Sequence, residues 1–116
     1  MQYSRAPLCL IACEPAIPLA EEVGRHLSAS VTPSSDVWFA CEEGKFVLGA
    51  NVRGTDVYIF QHAACPADER SVYDRLMMAL HAADAVRCAD AARVTLILPY
   101  LPGGRQDKRK GHVREG

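Results

Sequence analysis

Aromatic residues make up only 7% of this chain, and it has a single Trp. No apolar run approaches the ~20 residues that cross a bilayer, so no membrane-spanning helix is expected. CxxC pairs are missing too. With an odd count of five cysteines (Cys9, Cys13, Cys41, Cys65 and Cys88), that argues against both a disulfide framework and a zinc ribbon. Nor is there an excess of one charge: 13 Lys and Arg face 14 Asp and Glu, a formal net charge of −1, so the chain is no polycation built for nucleic acid. What is present is ordinary. Hydrophobic residues at 49% and charged residues at 23% in 116 residues are the proportions of one globular domain rather than a disordered, collagen-like or coiled-coil chain. The first apolar stretch, Leu8 to Cys13, is too short for a signal-peptide core, which makes the cytoplasm the expected compartment.

Two kinds of segment alternate. Leu8-Cys9-Leu10-Ile11-Ala12-Cys13 is a continuous apolar run of strand length, the pattern of a strand covered on both faces, and Cys9 and Cys13 read as small buried hydrophobes. After Pro15 and Pro18, the spacing of Leu19, Val23 and Leu27 predicts a helix, which stops in the turn-rich residues Ser28 to Ser35. Val37 to Phe39 and Lys45 to Ala50 read as short strands around an acidic Cys41-Glu42-Glu43-Gly44. Asn51 to Gly54 signals a turn, and Asp56 to Gln61 is strongly β-prone. The longest helix is expected between Ser71 and Ala89, with Tyr73, Leu76, Met77, Leu80 and Ala83 as its core stripe and Ser71 or a neighbour as its cap. Arg93 to Leu98 is a third apolar strand, expected to be central. Apolar strands separated by amphipathic helices predict an α/β fold, with a mainly parallel sheet flanked by helices.

The last twelve residues differ. Arg105, Lys108, Arg109, Lys110 and Arg114 face only Asp107 and Glu115, with no apolar periodicity. Ligands of open α/β sheets bind beyond the carboxyl ends of strands, where this stretch begins. Composition leaves two readings open. One is a solvated basic tail. The other is a loop whose Arg forks and Lys point charges hold a polyphosphate.

Pro99-Tyr100 followed by Gly104-Arg105-Gln106-Asp107-Lys108-Arg109 resembles a segment of ribose-phosphate pyrophosphokinases, the phosphoribosyl pyrophosphate synthetases. Asn51-Val52-Arg53-Gly54-Thr55-Asp56-Val57-Tyr58-Ile59-Phe60-Gln61 resembles that family's Ser-Val-Arg-Gly-Lys-Asp-Val strand. Asp74-Arg75-Leu76-Met77 with Asp84-Ala85-Val86-Arg87 is similar to its Asp-Asn-Leu-Met helix. The likeness runs from about Leu8 to the last residue. It implies the amino-terminal half of an enzyme with a type I phosphoribosyltransferase-like fold, which transfers diphosphate from ATP to ribose 5-phosphate with Mg²⁺ and releases AMP. Homo-oligomers are implied as well; nucleic-acid and membrane partners are not.

On that resemblance, residues 1–104 form the amino-terminal α/β domain and 105–116 the start of a basic loop. The ATP contacts fall on Phe39, Cys41 and Glu43, in a segment supplied to the neighbouring subunit's site, and on Arg105, Gln106 and Asp107. Lys108, Arg109 and Lys110 belong to the catalytic loop that closes over the transferring diphosphate. Cys41 stands where the family has Asp, and Glu42 where it has Gly. Residues 67–73 read as an insertion before the long helix. His112 and His62 read as loop histidines, and no metal ligand is assigned. The acidic sugar-phosphate loop has no counterpart, which implies a fragment, a truncated frame or a single-domain relative that is inactive alone. The alternative is a non-catalytic partner of an active synthetase.

Overall fold

The computed structural model describes residues 5–64 and 70–104. Three strands, β1 (Leu8–Ala12), β4 (Asp56–Phe60) and β5 (Arg93–Ile97), form a parallel sheet in the order β1-β4-β5. Two more, β2 (Ser34–Trp38) and β3 (Gly44–Leu48), pair antiparallel as a separate two-stranded sheet. A 3₁₀ turn (Glu14–Ala16) leads into α1 (Ile17–Leu27), and α2 (Val72–Cys88) precedes β5.

Alternation along the parallel strands divides the core in two, as a pleat covered on both faces requires. Cys9, Ile11 and Cys13 of the first strand segment join Val57 and Ile59 beneath α2, with Met78, Ala82 and Val86. Leu10, Ala12 and Phe60 face the other way, toward Ala16 and Ala20 at α1. The hairpin lies on the α2 side, where Phe46 is buried in the larger cluster and Trp38 and Leu48 pack against it.

Pro18 sits in the first turn of α1, where its missing N–H costs nothing. The helix ends at Ser28 in the left-handed conformation (φ 53°), and the Ala29 N–H donates to the Gly24 carbonyl at 2.8 Å. That return passes so close that a Cβ on Gly24 would lie 2.4 Å from the Ala29 oxygen, so only glycine fits. α2 begins with a reciprocal cap: Asp74 N–H donates to Ser71 Oγ at 3.0 Å, and Ser71 N–H to Asp74 Oδ2 at 3.1 Å.

Several expectations are corrected. The core face of α2 is Arg75, Met78, Ala79, Ala82 and Val86. Of the expected stripe, Leu76 and Ala83 are half-buried, and Tyr73 (62%), Met77 (50%) and Leu80 (45%) are exposed. Apolar residues surround this helix, so periodicity alone cannot choose a face; the alanines permit the close approach of the strands. On α1, Ala20 and Gly24 are buried, whereas Leu27 is exposed. Among the described residues, β4 lies between β1 and β5. β5 pairs only with β4 among the described residues and is half-buried, although its sequence is as apolar as a central strand. β2 also starts earlier than expected, within the turn-rich serines.

Candidate functional site

In-register pairing brings the strand ends to one level. Ala12 lies beside Phe60, and Phe60 beside Ile97. The ladder runs one residue further: Cys13 N–H donates to the Phe60 carbonyl at 2.9 Å, and Gln61 N–H to the Ile97 carbonyl at 3.1 Å. The chain leaving β4 is pinned to α2. Fully buried Gln61 donates from Nε2 to the Arg75 carbonyl at 2.9 Å and accepts the His62 N–H on Oε1 at 3.0 Å. Arg75, only 3% exposed, donates from Nη1 to the Ala63 carbonyl at 3.0 Å. Residue type alone did not reveal this brace. Its available signal was Arg75 standing at the polar Asn position of the family's helix pattern.

His62 is half-buried at the same end of the sheet. After β5 the chain turns at Leu101, whose carbonyl accepts the Gly104 N–H at 2.9 Å, with Gly103 at φ 83°. Arg105, Gln106, Asp107, Lys108, Arg109 and Lys110 follow that turn and lie outside the described residues.

The other expected contacts sit at the tip of the β2–β3 hairpin. Phe39 is 47% exposed; Cys41, a free thiol, and Glu43 are exposed as well. The tip is closed by backbone bonds. Phe39 N–H donates to the Glu43 carbonyl at 2.9 Å, and Glu42 N–H to the Phe39 carbonyl at 2.8 Å. Glu42 adopts φ 69°, a left-handed conformation that favours glycine, so the Gly of the family pattern has a steric reason at this position. The structure therefore gathers Phe39, Cys41 and Glu43 on one turn. It places them on a different element from the strand end that leads to Arg105.

At the base of the hairpin, Ser34 Oγ donates to the Ala12 carbonyl at 3.3 Å, and Glu14 N–H to Asp36 Oδ2 at 3.0 Å. Burial, reinforced by the Asp36 carboxylate, pushes the Cys13 thiol far above its usual range. Among the described residues no three His, Cys, Asp or Glu side chains come together as a metal site. No helix of the described residues is long and apolar enough to cross a membrane.

Residues 8–115 match the model of the N-terminal domain of ribose phosphate pyrophosphokinase. The chain belongs to this family. It is 38% identical over 102 residues to the ribose-phosphate pyrophosphokinase of Granulibacter bethesdensis, covering 88% of this chain and 31% of that protein. It is 41% identical over 96 residues to the one of Neisseria meningitidis serogroup A, covering 83% and 28%. The fold is similar to that of the phosphoribosylpyrophosphate synthetase from Mycobacterium smegmatis: TM-score 0.80 and 32% identity, over 93% of this chain and 35% of that one. The chain thus spans about a third of the length of these ribose-phosphate pyrophosphokinases, and the α/β fold expected for their amino-terminal part is the one observed.

Proposed function

We propose that this chain carries part of the ATP site of a ribose-phosphate diphosphokinase, the enzyme type that moves diphosphate from ATP to ribose 5-phosphate and releases AMP. The observation that carries the reading is the exposed Phe39 on a hydrogen-bonded turn, beside the Glu43 carboxylate, in a chain of this family. An exposed aromatic ring held by its backbone offers a stacking face for a base, and Glu43 offers an acceptor for sugar hydroxyls or an exocyclic amine. Arg105 and Gln106 would hold the phosphates, and Asp107 would orient the cations. Lys108, Arg109 and Lys110 would neutralise the transferring diphosphate and exclude water as the loop closes. Mg²⁺ would arrive on the nucleotide as part of the substrate.

In this reading the hairpin tip and the basic segment serve different sites of a homo-oligomer. The cytoplasm is the compartment proposed with it. The chain alone would not turn over, because the groups that grip the sugar phosphate lie elsewhere and positioning accounts for much of the rate.

Calorimetric titration of the chain with Mg·ATP tests the reading. Phe39→Ala is expected to weaken binding about 5- to 150-fold, the equivalent of ~1–3 kcal/mol of stacking. Glu43→Gln and the pair Arg105→Ala with Gln106→Ala are expected to weaken it as well. Unchanged affinity in all of them would refute the nucleotide site. Release of AMP dependent on ribose 5-phosphate from the purified chain would refute its inactivity alone.

Cys41, in place of the family's Asp, favours a second reading: a non-catalytic partner of an active synthetase. Co-purification with a full-length synthetase, together with no gain of ATP affinity in Cys41→Asp, would support that reading instead.

A further inference from the structure

We propose that Arg70 is a positioning residue for the hairpin tip, acting through the Trp38 ring. The Arg70 guanidinium carbon lies 4.1 Å from the centroid of that ring, a cation–π stack. Trp38 is the last residue of β2 and is followed directly by Phe39. Its cross-strand partner is Gly44, where a Cβ would stand 3.0 Å from both the ring and Met78 Cε. The missing side chain lets the indole lie over the hairpin onto α2. The guanidinium covers it from the other element.

Arg70 is itself held in place, because the next residue is the capping Ser71 of α2. The stack therefore joins the beginning of a 17-residue helix to the base of a five-residue tip, Phe39 to Glu43. That tip needs the support, since Glu42 holds a left-handed conformation without being glycine. Arg70 also lies in residues 67–73, which read as an insertion relative to the family pattern, so the tie belongs to this chain rather than to the common site. The proposal rests on the reading of the tip as a nucleotide contact.

The experiment uses the full chain and three variants: Arg70→Ala, Arg70→Gln and Arg70→Lys. Trp38 is the only tryptophan and reports the stack by its emission. Hydrogen exchange at the Phe39 and Glu42 amides reports the tip, and Mg·ATP calorimetry reports its use. Arg70→Ala and Arg70→Gln are expected to shift Trp38 emission to the red and to speed tip exchange about tenfold, while α2 amides keep their protection. They should weaken Mg·ATP about fivefold, with Arg70→Lys recovering most of both effects because its ammonium keeps the cation–π contact. Tip exchange unchanged in both neutral variants overturns the tie. Faster exchange with unchanged Mg·ATP affinity overturns its service to the nucleotide. Failure of the parent chain to bind Mg·ATP, with the exchange response intact, overturns the nucleotide reading and leaves the tie as a structural contact alone.

Discussion

Cys13 lies where β1 gives way to the 3₁₀ turn, with no exposed surface and Asp36 nearby. Both surroundings oppose a thiolate, so the folded protein holds this proton more tightly than the unfolded chain, whose thiol has the ordinary value of 9.0. The resulting stabilisation is complete below pH 9.0 and is withdrawn as the pH rises above it, by at most ~1.4 kcal/mol per pH unit. Urea unfolding between about pH 8 and 11 should show this slope in the parent and lose its Cys13 part in Cys13→Ala. The exposed thiols of Cys41 and Cys88 should react with a thiol reagent before that of Cys13 does, which peptide mapping by mass spectrometry can check. The burial of Cys13 was legible from its apolar neighbours. The influence of the Asp36 charge on it was not, because the two residues are 23 positions apart in the sequence.

On α2 the contrast falls between two adjacent methionines. Met78 is fully buried against the sheet and the hairpin, whereas Met77 is half exposed. Met78→Ala should cost ~2–5 kcal/mol, and Met77→Ala no more than about 0.5 kcal/mol, measured by chemical denaturation. The reverse order would restore the stripe through Tyr73 and Leu80. That stripe was the natural reading of the spacing, but apolar residues lie all round this helix, and the face that packs on the sheet is the one where Ala79 and Ala82 flank Met78 and Val86. The elements themselves were readable: the five strands and two α-helices of the described residues fall where runs and turn signals put them, to within a few residues. The hairpin's independence and the buried Gln61–Arg75 brace depend on contacts between distant segments, which local patterns do not record.

At the scale of the molecule, the parallel sheet contributes residues to both halves of the core among the described residues. Phe60 belongs to the α1 side, and Trp38 to the α2 side. Phe60→Ala should therefore lower stability by ~3–5 kcal/mol and move the unfolding transition seen by Trp38 emission as far as the one seen by far-ultraviolet circular dichroism. Separate transitions would show that the two faces unfold independently. The fold class was legible because three apolar runs alternate with helices. The parts of the proposed site were legible only as motifs, since an exposed residue such as Phe39 belongs to a surface that a chain's own core does not define.

The hairpin meets the parallel sheet through side chains, with no rung of backbone bonding between the two among the described residues. Strand register in the sheet is thus insulated from the length and composition of residues 34–48. Evolution, or an engineer, can trade that hairpin for a relative's as a cassette, provided the swapped piece keeps an indole-sized anchor and a bare position opposite it.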